Sequence, residues 1–388
     1  MIISPAERTQ SVTEYYFATK LREIEEMKKQ GKKVLNLGIG SPDMMPHNDV
    51  LEELALQSKA EGSNGYQSYT GLPALREAFA VWYRRYFGID LNPNGEILPL
   101  MGSKEGIMHI SMAFLNPGDG VLVPNPGYPA YDAVTRLVGA RVEEYDLKPE
   151  NDWLPDFEDL ETKDLQGVKL MWVNYPNMPC GAKANAAFFD RLVSFARQKK
   201  ILICNDNPYS FILNDNPLSI FSAEGAREVA LELNSMSKSH NMAGFRMGMV
   251  AGKADYLKSI LTVKSNMDSG MYKPIQMAAV KALQSPPEWY QSINAEYKKR
   301  RLLAETIFDE MNVKFDPGQS GMFLWGRVPE NFADGFGCSD HLLYHYGVFI
   351  TPGGIFGSNG NQFIRLSLCS SQEVFKEAIE RINGNLNK

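Results

Sequence analysis

The chain has 388 residues, of which 44% are hydrophobic and 22% charged, and its formal net charge is −6. That length buries a large core and leaves room for two domains, while the acidic balance argues against a nucleic-acid or anionic-membrane surface. Cys180, Cys204, Cys338 and Cys369 are scattered without CxxC or Cys/His spacing, so the expectation is free thiols in a reducing cytoplasm and no metal site.

The opening Met1-Ile-Ile-Ser-Pro-Ala-Glu-Arg lacks a basic segment followed by a long apolar one, which argues against an export signal, and no run approaches the length of a membrane span. Residues Glu14 to Gln30 read as a charged amphipathic helix stopped by Gly31, followed by the short apolar stretch from Val34 to Gly40. Leu72 to Phe87 reads as a helix with Pro73 in its first turn and Gly88 closing it. Strands then fit Ile97–Met101, Gly120–Val123, Arg141–Tyr145, Val168–Val173, Ile201–Asn205, Val229–Asn234 and Met247–Gly252. Helices fit Lys104–Leu115, Tyr128–Val138, Asp156–Leu160 and Asn185–Lys199 between them. This alternation predicts an α/β fold, a mostly parallel seven-stranded sheet with helices on both faces. After Gln284 the pattern turns α+β. A long charged helix runs from Ser285 to Met311, and strand-like pieces follow at Phe323–Trp325, Val348–Thr351 and Phe363–Leu368. The expected division is an N-terminal arm over 1–45 packing with the small domain, a large domain over 46–284 and a small domain over 285–388.

The chemistry-bearing residues fall where strands end, the place where open α/β sheets bind ligands. Gly102-Ser103-Lys104 opens a helix after the first of these strands, and free amides with a hydroxyl and an ammonium make a phosphate cradle. Taken alone, it reads more readily as a good helix start. Prolines and Gly127 fix a turn that presents Tyr128 for stacking, although an aromatic beside prolines is more often packing. Asn174 to Gly181 form a polar, proline-stiffened loop. Asp206 ends a buried strand, where a carboxylate needs either a cation or an N-cap role. After the sixth strand come Ser235, Ser237 and Lys238, with Arg246 eight residues on. A lysine there can form a Schiff base with an aldehyde cofactor while the serines and the arginine hold a phosphate; the plainer reading is a solvated Ser/Lys loop.

Taken together, these residues resemble the class I/II aminotransferases, fold-type I pyridoxal-phosphate enzymes. The resemblance covers nearly the whole chain, from Leu35–Asp43 through Tyr66–Arg76 to Pro352–Gly357 and Phe363–Leu368. Gly-Ser-Lys-Glu-Gly-Ile over 102–107 and the run from Ala113 to Asp119 look most like the branch with LL-diaminopimelate and some aspartate or alanine aminotransferases. The resemblance implies pyridoxal 5'-phosphate as cofactor, with Lys238 as its Schiff-base lysine and proton carrier. It implies that Asp206 pairs with the pyridine nitrogen, Tyr209 with the phenolic oxygen, and that Tyr128 stacks on the ring. It further implies that Gly102, Ser103, Ser235, Ser237 and Arg246 hold the phosphate and that Arg365, with Gly40 beside it, takes the substrate α-carboxylate. Lys104 would either join the phosphate site or face a distal acidic group. Tyr66 matches a tyrosine that reaches a neighbouring subunit, which implies a homodimer. The substrates implied are an amino acid and a 2-oxo acid, in ping-pong turnover, with no nucleic acid or membrane as partner.

One position departs from the family pattern. Its loop usually reads Asn-Pro-Thr-Gly, and here Met178 stands where that asparagine donates to the phenolic oxygen. A thioether donates nothing. Either Asn174 or Asn177 substitutes, or Tyr209 acts alone, and the sequence leaves His240 without a role. The same residue set also serves carbon–sulfur β-lyases, and a non-catalytic cofactor-binding sensor is a further alternative.

Overall fold

The apolar runs read as strands form one twisted sheet in this computed structural model, which describes residues 2–386. In chain order, α1 (Tyr16–Lys29), β1 (Leu35–Asn36), α2 (Asn48–Ser58) and α3 (Pro73–Phe87) come first. They are followed by β2 (Ile97–Leu100), α4 (Ser103–Phe114), β3 (Gly120–Asn125), α5 (Pro129–Leu137) and β4 (Arg141–Asp146). Then come α6 (Phe157–Thr162), β5 (Val168–Val173), α7 (Ala186–Lys199), β6 (Leu202–Asp206), β7 (Ala230–Ser235) and β8 (Gly248–Gly252).

The large sheet has seven strands in the order β2-β8-β7-β6-β5-β3-β4. All are parallel except β8, which runs antiparallel to β2 and β7. Both faces are covered, so successive residues enter different cores. Val121, Trp172 and Leu231 point to one, while Leu122, Met171 and Ile203 point to the other. Strands β7 and β8 are buried at every position. Because six strands share one direction, the segments after β2, β3, β5, β6 and β7 emerge along a single edge.

A second sheet is antiparallel, β12-β13-β10-β9, built from β9 (Lys314–Phe315), β10 (Phe323–Arg327), β12 (Thr351–Pro352) and β13 (Phe363–Ser367). It sets Trp325 opposite Arg365. Strand β11 (Val348–Phe349) pairs in parallel with β1, tying Leu35 to Val348 across most of the chain. The expected single strand over Val348–Thr351 is therefore two pieces in two sheets, divided at Ile350. Helices Ala254–Lys264, Lys273–Leu283, Gly335–His341 and Gln372–Leu386, together with α2, also lie outside the elements expected. Only Val50 of α2 is fully buried, so that helix carries little periodic signal, and Pro274 at the start of Lys273–Leu283 reads locally as a breaker. Among the described residues, no helix is long and apolar enough to cross a membrane.

Candidate active site

Strand β2 runs into Gly102 at φ +87°, a left-handed conformation that favours glycine. A Cβ there would lie 2.3 Å from Arg246 Nη2, so glycine also makes room for the guanidinium. Arg246 donates from Nη1 to the Ala243 carbonyl at 3.0 Å and from Nη2 to the Met101 carbonyl at 3.4 Å. No carboxylate pairs with it among the described ion pairs. The Ser235 hydroxyl caps the short helix after β7, accepting from the Ser237 amide at 3.2 Å and donating to the Ser237 hydroxyl at 3.0 Å. Gly248 lets these two loops close up, since a Cβ would sit 2.7 Å from the Asn234 oxygen and 3.1 Å from the Ser103 nitrogen. The N-terminus of α4, two hydroxyls and a guanidinium thus surround one concavity, an arrangement suited to a dianion.

Asp206 ends β6 with its carboxylate buried. The Tyr131 hydroxyl donates to Oδ2 at 2.9 Å, while Oδ1 has no partner. Burial pushes the carboxyl up to about 6, with the hydroxyls of Tyr131 and Ser103 pulling the other way. Tyr131 is stacked on Trp172 with ring centroids 5.0 Å apart and meets Tyr128 edge-on at 5.5 Å. Tyr131 is absent from the residues the sequence singled out. The available signal was its place three residues after Tyr128, the residue that caps the N-terminus of α5.

Lys238 sits in the four-residue helix Met236–Ser239 directly after β7, and its Nζ donates to the Gly40 carbonyl at 2.6 Å. Burial lowers its pKa; Cys369 opposes that shift, while the positive charges of Arg365 and Arg246 add to it. A lowered ammonium pKa makes the free amine more available as a nucleophile or base. Its neighbour His240 is a core residue. Its ring joins the Ser239 and Tyr290 hydroxyls at 2.8 and 3.0 Å, and burial lowers its pKa to about 3.

Arg365, on β13, is only 4% exposed. Its Nη2 donates to the Gly38 carbonyl at 2.9 Å, its Nη1 contacts the Met178 sulfur at 3.2 Å, and its Nε has no partner. The guanidinium lies 3.9 Å from the ring centroid of Phe323 and 4.7 Å from that of Phe356. Burial without a paired carboxylate lowers its pKa to about 10. The 38–40 segment passes between the two cations, binding Arg365 through Gly38 and Lys238 through Gly40. A Cβ at Gly38 would meet Phe349 at 2.5 Å and one at Gly40 would meet Phe323 at 2.4 Å, so neither position tolerates a side chain.

The loop after β5 resolves what surrounds Met178. Asn174 donates to the Asp206 carbonyl and accepts from the Met178 amide at 2.7 Å. Asn177 donates to the Asn174 carbonyl at 3.2 Å and accepts from the Cys180 thiol at 2.9 Å. Both amides brace the loop. Tyr209 lines the same space with its ring 5.9 Å from Phe323, and burial raises its phenol pKa. The Lys104 ammonium lies 5.0 Å over the Tyr15 ring.

One cavity of about 540 Å³ gathers most of the predicted residues. Asp206, Tyr209, Lys238, Arg246 and Arg365 line it, as do Gly40, Ser103, Lys104, Tyr128, Asn174, Ser235 and Ser237. Gly102 and Asn177 are not part of that lining. Tyr66 does not join them; its side chain is 92% exposed.

Residues 32–382 match the family described as aminotransferase class I and II. The chain belongs to this family. The aminotransferase is 37% identical to an LL-diaminopimelate aminotransferase from Dehalococcoides mccartyi, with 98% of each chain covered. It is 38% identical to another LL-diaminopimelate aminotransferase, from Desulforudis audaxviator, over 99% of this chain and 98% of that one. Among solved structures it superposes on the apo form of BacF from Bacillus subtilis with a TM-score of 0.95 at 36% identity, covering 100% and 99% of the two chains. On a Thermus thermophilus aspartate aminotransferase mutant the TM-score is 0.91 at 25% identity, with 98% of each covered.

The protein is accordingly a pyridoxal 5'-phosphate-dependent transferase that moves an amino group between an amino acid and a 2-oxo acid. The residues present fit that cofactor. The unpartnered Asp206 oxygen suits a protonated ring nitrogen, and the concavity that a Cβ at Gly102 would fill suits a phosphate. When bound, the cofactor supplies a ring that withdraws electrons from the substrate α-carbon.

Proposed function

We propose that Lys238, Asp206 and Tyr209 carry out the transfer, with Arg365 orienting the substrate. Arg365 carries this reading. It is a buried guanidinium with an unpartnered Nε and no carboxylate pair, which a substrate α-carboxylate would complete. Lys238 would hold the cofactor through Nζ and, once freed from it as an amine, would carry the proton that leaves the substrate α-carbon. The Gly40 carbonyl orients that nitrogen. Asp206 keeps the ring nitrogen protonated, and Tyr128 packs on the ring. Gly102, Ser103, Ser235, Ser237 and Arg246 bind the phosphate. Because Asn174 and Asn177 brace their own loop, Tyr209 is the donor to the phenolic oxygen. The two half-reactions share one site, so the kinetics are ping-pong.

The reading extends to assembly and setting. A homodimer in which Tyr66 completes the neighbouring site accounts for a tyrosine left 92% exposed. The division into 1–45, 46–284 and 285–388 is supported by the two separate sheets and by the β1–β11 pairing. Four buried free thiols support a cytoplasmic setting. LL-diaminopimelate is one candidate amino donor, on the names of the relatives, and the far wall of the cavity bears on that choice.

Absorbance of the cofactor-loaded protein, followed after adding single amino acids without a keto acid, tests the assignment. Loss of the visible band in the native protein, and no reaction in Lys238→Ala, is the expected result. Pyruvate and ammonia accumulating from one substrate would indicate lyase chemistry instead, and an unaffected Lys238→Ala would overturn the assignment.

A further inference from the structure

We infer that the amino acid this site selects carries an uncharged, apolar side chain of the size of phenylalanine, methionine or leucine. The inference rests on the reading of Arg365 as the α-carboxylate partner. With a carboxylate on that guanidinium, the rest of the substrate is directed into the part of the cavity away from the phosphate concavity. Its walls are Tyr15, Phe17 and Leu21, brought over the cavity by the start of α1, together with Ile39, Phe323 and Phe356. Three of these rings already face Arg365, with Phe323, Phe356 and Phe17 centroids 3.9, 4.7 and 5.7 Å from the guanidinium carbon. A carboxylate bound there enters an aromatic enclosure, and burying apolar surface in such a pocket is favourable.

The charges lining the cavity point the same way. Asp206 is its one carboxylate among the described residues, and it lies at the cofactor end under Tyr131. A second ammonium at the far end of a substrate finds no counter-charge among the described residues that line the cavity. A second carboxylate could meet only Lys104, whose ammonium lies over the Tyr15 ring. The segment carrying Tyr66, proposed to complete the neighbouring site, is no different. Residues 62–72 contain no charged side chain, and Tyr66 and Tyr69 are its exposed aromatics. A second ammonium buried there without a partner is strongly disfavoured, so the wall rejects it more sharply than it rewards any particular apolar group, while a second carboxylate would have to draw Lys104 away from the Tyr15 ring.

The test uses the cofactor-loaded protein and two sets of probes. Reaction rates of the cofactor band are measured with L-phenylalanine, L-methionine and L-leucine against 2,6-diaminopimelate, L-aspartate and L-lysine. Non-reacting acids, 3-phenylpropionate and glutarate, are titrated by the spectral shift they cause. We expect at least one apolar donor to exceed every doubly charged donor by about tenfold or more in rate per concentration, and 3-phenylpropionate to bind more tightly than glutarate. A doubly charged donor matching or exceeding the apolar ones overturns the inference. If no donor reacts, the transfer reading fails and the acids decide the wall by themselves. Tighter 3-phenylpropionate sustains the apolar wall, and tighter glutarate refutes it.

Discussion

The Nη1 of Arg365 rests 3.2 Å from the sulfur of Met178, at the position where the family pattern places an asparagine. A thioether accepts only weakly from a guanidinium and gives nothing back to a cofactor oxygen. Two consequences meet at this residue: Arg365 is held loosely on one side, and in the proposed site the phenolic oxygen would have one donor fewer. Met178→Asn restores that donor. The titration midpoint of the bound cofactor's visible absorbance should fall by about one pH unit, because a hydrogen bond to the charged form favours it by at least about 1.4 kcal/mol. An unmoved midpoint in a spectrophotometric pH titration would show that another group already supplies the donor.

Arg365→Lys keeps the charge but loses the planar fork and the reach of Nε. A lysine cannot make the bidentate pair, so kcat/KM for amino donors should drop on the order of 100-fold, about 2–3 kcal/mol. Steady-state kinetics on the two half-reactions would register the loss in both, since both bind an α-carboxylate. A loss confined to one half-reaction would assign Arg365 elsewhere.

Tyr131→Phe removes the hydroxyl that reaches Asp206 and leaves the ring that stacks on Trp172. The fold should be retained and the cofactor bound about tenfold more weakly, since a charged hydrogen bond is lost from the group proposed to face the ring nitrogen. Fluorescence titration of the apo protein with cofactor measures this. Unchanged affinity would make Tyr131 a packing residue only.

Asp206 makes the stability of the apo protein depend on pH in a predictable direction. Its folded pKa, about 6, lies above the ordinary value of 3.8, so the folded protein holds an extra proton between the two. This contribution is complete below about pH 4 and is lost as pH rises through about 6, amounting to about 3 kcal/mol. Apo protein should therefore lose stability relative to Asp206→Asn across that window, as read from paired urea-unfolding curves. Parallel curves for the two proteins would contradict a raised pKa.

Gly102→Ala places a methyl group against the Arg246 guanidinium and forces φ +87° on an L residue. The site is local, so the protein should fold, while cofactor affinity falls about tenfold or more as Arg246 is displaced. Phosphate-free pyridoxal serves as the control. An equal loss for both compounds would separate Gly102 from the phosphate.

The parts legible in the sequence are those written in local turn chemistry. The apolar runs and the glycines and prolines after them located the large sheet and the edge where its loops emerge, because strand period and turn residues act over a few positions. Lys238, Asp206 and Arg246 could be singled out for the same reason, each standing at a fixed offset from a strand end. Tyr131 escaped because nothing near it in the chain records that Asp206, 75 residues on, needs a donor. The commitment of Asn174 and Asn177 to their own loop was equally hidden, since it depends on how that loop turns back on itself. The Arg365–Met178 contact spans 187 residues and joins the two sheets, and the aromatic wall draws on α1, β10 and Phe356 together. Sequence determined which chemistry the chain carries, through short-range patterns; tertiary packing decided which groups remain unpaired and what surrounds them, because burial and partner choice depend on residues brought together from far along the chain.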